Sequence, residues 1–189
     1  MTVRCNIMNK QTVLFFTVMI CCAAVTAQQK TSFKFDFGTV AVASGYTAVI
    51  PQTIYTDAAG YGFINSTGIT SVVRNKKNAV TSDFITGNKP FFFSVQLPEG
   101  NYDVKVTLGD VAGESATTVR AECRRLFLQN VQTKKGETVT KTFTVHVKDS
   151  LIRDAAGKVL YKVKLKQREY EYRHWDNLLT LEFNDTAAK

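Results

Sequence analysis

The side chains that could carry chemistry are aromatic and polar, and the densest group of them lies near the end of the chain. His174, Trp175 and Asp176 are consecutive. The flat face of an aromatic ring can stack on the C–H face of a sugar, while neighbouring Asp, His or Arg side chains hydrogen-bond its hydroxyls. The sequence therefore predicts a ligand-binding set with these members: Trp175, Asp176, His174, Tyr61 and Arg125. The alternative interpretation is that these aromatic rings fill the ends of a folded core.

No combination of residue types in the sequence predicts catalysis by this chain alone. Leu108-Gly109-Asp110-Val111 resembles the start of a Gly-Asp-Ser nucleophile motif, but Val111 stands in place of the serine and cannot attack a carbonyl. The segment is therefore predicted to be a turn that ends a strand. The two histidines, His146 and His174, are accompanied by no nucleophile, and His146 is predicted to be solvated.

No cofactor is predicted either. The cysteines and histidines lack the spacing of a zinc site, and no glycine-rich loop precedes a helix as phosphate binding requires. A structural calcium ion, held partly by backbone carbonyls of loops, stays open as an alternative. The scattered aspartates that could contribute are Asp36, Asp57, Asp83, Asp110, Asp149 and Asp154.

The first residues have the pattern of a secretory signal peptide. Arg4 and Lys10 precede an apolar run over 13–25, which is too short to cross a bilayer, and small residues lead to a predicted cleavage site after Ala27. We therefore expect a secreted or periplasmic protein with no membrane span. Removing 27 of the 189 residues leaves 162 and lowers the formal charge from +8 to +6. Three of the four cysteines are lost with the signal peptide, and the remaining one, Cys123, is predicted to be a small packed residue.

Basic residues concentrate between positions 158 and 173, and alternation places Lys162, Lys164 and Lys166 on one exposed face. Such a face attracts a polyanion, and because the export signal disfavours nucleic acid, an acidic polysaccharide is the natural candidate. The alternative is a solvated strand face that discourages pairing with other strands.

Strands dominate the sequence after Phe33, because apolar and polar residues alternate with a period of two. The clearest alternating segments are 91–97, 102–108, 142–148, 162–166 and 179–184. Turn residues separate them at 98–101, 134–137 and 154–157. We predict one antiparallel β-sandwich over 31–185, with looser short strands and long loops over 39–88 and a frayed tail over 186–189.

A set of short strings, in this order, resembles a known family. The strings are Phe35-Asp36-Phe37-Gly38, Gly45-Tyr46, Tyr61-Gly62-Phe63, Leu97 to Val104, Val106 to Asp110, Thr117 to Glu122, Arg124-Arg125-Leu126, His174-Trp175-Asp176 and Leu178 to Asn184. Together they resemble the N-terminal galactose-binding-like domain of bacterial rhamnogalacturonan acetylesterases and related agarase and esterase proteins. The resemblance implies an all-β, jelly-roll sandwich of the galactose-binding-domain type.

The resemblance also implies a functional context. In that family the sandwich is similar to carbohydrate-binding modules and precedes an SGNH-type hydrolase domain, whose catalytic Ser, His and Asp match no position in this sequence. The leading hypothesis is therefore a secreted, non-catalytic accessory module that binds plant or algal cell-wall polysaccharide or docks to a hydrolase domain. The alternative is the structural front part of a split or truncated SGNH esterase whose hydrolase domain is on another chain or lost.

Overall fold

A computed structural model describes residues 30–40, 42–74, 81–122, 124–167 and 175–187. The predicted signal peptide, Cys123 and His174 lie outside the described residues. Thirteen strands make up the described fold: β1 Phe35–Phe37, β2 Thr47–Val49, β3 Tyr61–Phe63, β4 Ile69–Val73, β5 Asp83–Gly87, β6 Phe91–Gln96, β7 Gly100–Asp110, β8 Ser115–Ala121, β9 Arg125–Thr133, β10 Glu137–Val147, β11 Leu151–Arg153, β12 Val159–Lys162 and β13 Leu178–Ala187. The predicted all-β antiparallel fold class is confirmed. In the described part of the chain, no helix is long and apolar enough to cross a membrane.

The largest sheet has five antiparallel strands in the order β3-β6-β13-β8-β9. The remaining strands form pairs: β7 with β10 along their full lengths, β4 with β5, β11 with β12, and β1 with β2, which are parallel. Short strands with long loops over 39–88 were predicted and are present.

The core lies between the five-stranded sheet and the shorter pairs. Buried apolar side chains of β3, β6, β8 and β13 join those of β2, β4, β5 and β10 in one cluster. Phe93 is 2% exposed, and its ring makes edge contacts with Phe35, Phe37 and Phe63 at centroid distances of 4.9–5.4 Å. Edge-to-face aromatic contacts of this kind stabilise beyond the burial of area.

The predicted alternation of buried and exposed side chains is confirmed in strands that have one solvated face. It is wrong in strands whose two faces are both covered by other parts of the protein. In β10, Val145 and Val147 are buried while His146 between them is exposed, as predicted. In β6, however, Ser94 was expected on a wet face and is fully buried. The strand is central in its sheet, and the Ser94 hydroxyl shares a hydrogen bond of 2.8 Å with the hydroxyl of buried Thr180 on β13.

The connections show which predicted turns form hairpins. The turn at 98–101 leads from the five-stranded sheet to β7, and the turn at 134–137 leads from β9 to β10, so both connect strands that are not paired with each other. The turn at 154–157 does close a hairpin, between β11 and β12.

Two boundaries differ from the predicted ones. The predicted strand over 162–166 is wrong in extent, because β12 ends at Lys162 and the next residues have no ladder partner beyond one bond from the Val163 N–H to the Ser150 carbonyl at 2.7 Å. Their burial still alternates, with Lys162 and Lys164 exposed and Leu165 half-buried. At the carboxyl end, β13 continues to Ala187, two residues into the segment predicted as a frayed tail.

Candidate functional site

One end of the five-stranded sheet gathers the polar and aromatic residues of interest. Because neighbouring strands are antiparallel, β3 and β13 begin at the same end at which β6 and β8 finish. Trp175 and Asp176 lie directly before β13, and Arg125 begins β9 just after the turn that follows β8. We call this region the Trp175 end.

Trp175 is held at this end by its backbone and by a lysine. Its φ of 63° is in the left-handed region, and its backbone forms an isolated parallel bridge with Asp149. The Lys148 ammonium lies 4.1 Å from the centroid of the indole ring, which is a cation–π distance. The ring is half-buried, with Lys148 over one face, so a ligand would stack on the remaining exposed surface.

Glu122 is a buried acid at the same end. Its φ of 37° turns the chain out of β8, and its carbonyl accepts a hydrogen bond from the Arg125 N–H at 3.1 Å. The side chain folds back so that Oε1 accepts the Thr180 N–H at 2.9 Å. Its carboxyl group thus takes the place that a backbone carbonyl would have in the ladder between β8 and β13.

Burial raises the pKa of Glu122 from 4.5 to about 7. The charge of Asp176 raises this pKa further, whereas the Thr180 N–H, Arg125 and Lys148 lower it. Since a desolvated carboxylate is unfavourable, the folded protein retains a proton on Glu122 that the unfolded chain loses near pH 4.5.

This shift predicts a pH dependence of stability. Between about pH 4.5 and 7 the folded state binds more protons at Glu122 than the unfolded state, so the free energy of unfolding should fall as the pH rises, by up to about 3 kcal/mol. Glu122→Gln retains an oxygen for the Thr180 N–H and removes the ionisation. The variant should match the wild type at pH 4 and be more stable at pH 8, as measured by chemical denaturation.

The control for this prediction is Asp103→Asn, which removes a charge from an exposed residue of β7. It should leave the slope of stability against pH nearly as in the wild type. Equal slopes for the wild type and Glu122→Gln would contradict the buried position of this acid.

Asp176 connects Glu122 with a tyrosine. Its Oδ1 accepts the Leu178 N–H at 2.9 Å, which fixes the carboxylate at the start of β13. The pKa of Tyr55 is raised by burial, by a hydrogen bond of 3.2 Å from its hydroxyl to Asp57, and by the charges of Asp57 and Asp176. The charge of Asp176 therefore acts on the pKa of both Tyr55 and Glu122.

A pocket of about 240 Å³ opens beside these residues. Its lining includes the apolar ring of Phe33 and the polar side chains of Asp57 and Gln96. Gln96 ends β6, and its N–H donates to the Gly60 carbonyl at 2.7 Å, which places the pocket at the Trp175 end. A ring with an apolar face and several hydroxyls matches this combination of surfaces.

The structure brings four of the five predicted site residues to one end of the sheet. Trp175, Asp176 and Arg125 lie at the Trp175 end, and His174 is outside the described residues. Tyr61, the first residue of β3, also lies at this end, but it is half-buried and its ring packs 5.0 Å from that of Phe35 at the margin of the core. Tyr55 and Asp57 also lie here, although the sequence suggested Asp57 only as a calcium ligand. The sequence did not indicate the other residues at this end, because only the turns and strand ends bring them together: Gln96, Glu122 and Lys148.

The aspartates considered for calcium are largely engaged by donors of the protein. Asp83 accepts the N–H groups of Thr39 and Val40, at 2.6 and 2.9 Å. Asp110 ends β7 as predicted, is 1% exposed, and receives a bidentate hydrogen bond from Arg74 at 2.8 and 2.9 Å. Among the residues that the structure describes, no three His, Cys, Asp or Glu side chains gather in an arrangement that could hold a metal ion.

Sequence comparison relates most of the chain to a β-agarase and to an esterase. A family described as "Beta-agarase/YXIM esterase-like, galactose-binding domain-like" matches residues 33–164. Beta-agarase A of Zobellia galactanivorans is 34% identical over 124 residues, which is 63% of this chain and 22% of that protein. The uncharacterized esterase YxiM of Bacillus subtilis is 30% identical over 129 residues, which is 66% of this chain and 32% of that protein.

Comparison with solved structures identifies the same esterase. The crystal structure of YxiM from Bacillus subtilis matches with a TM-score of 0.54 and 26% identity, over 81% of this chain and 39% of that one. The chain thus spans about a fifth to a third of the curated relatives that it matches.

Proposed function

Since this chain belongs to the β-agarase/YXIM esterase-like, galactose-binding domain-like family, we propose that it is a non-catalytic carbohydrate-binding module. Its site is the Trp175 end. The observation that carries this proposal is the combination, at one end of a galactose-binding-like fold, of a partly exposed tryptophan, the carboxylate of Asp176 and an adjoining pocket with polar side chains.

The geometry supports binding by stacking and hydrogen bonding. A sugar ring stacks on the indole surface that Lys148 leaves uncovered, and its hydroxyls reach carboxylate, amide and guanidinium groups. Asp176 is already fixed by the Leu178 N–H, so little ordering is needed when a sugar binds. Because the surface is small and open, we expect weak binding, with a Kd on the order of 1 mM, about 4 kcal/mol, for a short oligosaccharide.

The proposed ligand is a cell-wall polysaccharide of plants or algae that contains galactose or galacturonate. One relative is named as a β-agarase, and the resemblance of the sequence to rhamnogalacturonan acetylesterases extends the class to pectin. Titration of the mature chain with agarose, galacturonan and rhamnogalacturonan fragments, followed by calorimetry or NMR chemical shifts, tests the proposal. Saturable binding of at least one of them is expected; no response at millimolar sugar would refute it.

We also propose that this binding needs no cofactor. Buried Asp83 and Asp110 already receive hydrogen bonds from backbone N–H groups and from Arg74. The same titration in EDTA should give the same affinity, whereas a large loss would point to the calcium site that the sequence left open.

A second candidate function is the structural front part of an SGNH esterase whose hydrolase domain is a separate chain. It is favoured by the relationship to an esterase of which the chain spans only 32%. An open reading frame with a Gly-Asp-Ser motif directly downstream of the gene would support this candidate. Its absence would count against a split gene.

We propose export as the cellular context, with the sandwich as the mature protein. The pattern of residues 1–27 supports it. The intact mass of the protein recovered from the medium or periplasm should correspond to a chain that begins at Gln28, and an unprocessed cytoplasmic protein would contradict export.

A further inference from the structure

The hairpin of β11 and β12 exposes an unusual amount of apolar surface. Asp154 stabilises its turn, with Oδ1 accepting the N–H groups of Ala156 and Lys158 at 2.9 Å. All four residues of β12 are exposed. Tyr161 is 70% exposed, and Ile152, its partner in the ladder, is 49% exposed. Because directly paired residues lie on the same face, these two side chains form a continuous apolar shelf.

Three exposed lysines lie on the same hairpin as this shelf. Lys158 precedes β12, Lys162 ends it and Lys164 follows, and all three are exposed. Within the described ranges none of the three takes part in an ion pair. Because successive side chains of a strand lie on opposite faces, Lys162 lies on the face opposite to Tyr161. An anionic ligand that contacts both the ring and these cations therefore lies along the edge of β12.

The arginine of the hairpin has a different role. Arg153 forms ion pairs with Asp149 at 2.6 Å and with Glu99 at 3.1 Å. Its hydrogen bonds lower the pKa of Asp149, the residue whose backbone bridges to Trp175. Arg153 thus holds the hairpin beside the Trp175 end. Its positive charge is paired with carboxylates of the protein, unlike the charges of the three lysines.

The chemistry of the hairpin favours one kind of occupant. A stable protein interface needs about 800 Å² from each partner, far more than a strip of a few side chains on two short strands provides. A second copy of the chain would bring like charges together. An extended anionic polymer needs only a line of contacts, with ring faces on Tyr161 and negative groups on the lysines.

We propose that the β11–β12 hairpin is a second carbohydrate-binding surface, which takes an anionic polysaccharide through Tyr161 and the three lysines. The inference rests on the proposed function for the class of polymer, but it uses a surface other than the Trp175 end. Since the hairpin starts beside Trp175, a single polysaccharide chain could contact both surfaces.

The experiment uses the mature full chain and three polymers: polygalacturonate with carboxylates, carrageenan with sulfates, and neutral agarose. Affinity electrophoresis at low and high salt measures the binding of each. The polyanions should bind more tightly than agarose at low salt and weaken strongly at high salt, because exposed charges are screened. The preferred polyanion identifies the negative group.

Two variants locate the binding. Replacing the lysines at 158, 162 and 164 with glutamine should weaken polyanion binding at least tenfold, and Tyr161→Ala should weaken it about fivefold at unchanged charge. The matched control replaces Lys134, Lys135 and Lys141, which are also exposed, with glutamine and should cost less than about threefold. Agarose binding should be unchanged in all of them, which separates this proposal from the proposed function of the Trp175 end.

Equal losses in the two triple variants would overturn the proposal, because binding would then follow net charge alone. Polyanion binding that is unaffected by Tyr161→Ala would also overturn it. The apolar shelf would then be better explained as a contact surface for a protein partner. All substituted side chains are exposed, so the variants should melt within a few degrees of the wild type.

Discussion

Replacing Phe93 with alanine is expected to lower the free energy of unfolding by about 3–5 kcal/mol. The side chain is 2% exposed and contacts three other phenylalanine rings, so its removal leaves a cavity between the five-stranded sheet and β1. Since a domain is stabilised by only about 5–15 kcal/mol in total, the variant should lose a large part of its stability. Denaturation by urea, followed by circular dichroism, measures the change.

Leu126→Ala is the matched control, because Leu126 is a large apolar residue on β9 that is 52% exposed. It should cost less than about 1 kcal/mol. Equal losses for the two variants would contradict the placement of the core on the inner face of β6.

The second large effect is expected on binding. Trp175→Ala should weaken binding of neutral oligosaccharides about 30-fold, equivalent to about 2 kcal/mol, because it removes the stacking surface at the Trp175 end. The Lys148 ammonium would lose its aromatic partner as well. Titration calorimetry of the variant against the wild type, with the melting temperature as a check on folding, measures the loss.

Trp175→Phe and Tyr61→Ala are informative companions. A smaller ring at position 175 should retain part of the affinity. Tyr61 packs on Phe35, so its removal should affect stability more than binding. An affinity loss that is larger for Tyr61→Ala than for Trp175→Ala would place the stacking surface at Tyr61 instead of Trp175.

Local alternation predicts a strand well when one of its faces is wet. In β10 the side chains of Val145, His146 and Val147 follow the period of two in burial as in sequence. The same rule misplaces Ser94, because the polarity of a residue does not reveal that other chain segments cover the second face of a central strand. The sequence also does not predict which strands pair with each other. The composition of the turn at 98–101 suits a hairpin, but the turn connects strands of two different sheets.

The candidate site also contains residues that the sequence could predict and residues that it could not. Trp175, Asp176 and Arg125 could be proposed from their chemistry, and antiparallel pairing brings them to one end. Glu122 could not, because a glutamate at the end of a strand is ordinarily solvated. Its burial follows from a turn in the left-handed region that directs the side chain back to the Thr180 N–H.

Trp175 is the only tryptophan of the chain, so its fluorescence reports on the proposed site directly. We expect a saturable change in the intensity or wavelength of tryptophan emission when agarose oligosaccharides are added to the mature protein. The midpoint should equal the Kd from calorimetry. Calorimetric binding with unchanged tryptophan emission would contradict the placement of the carbohydrate site at the Trp175 end.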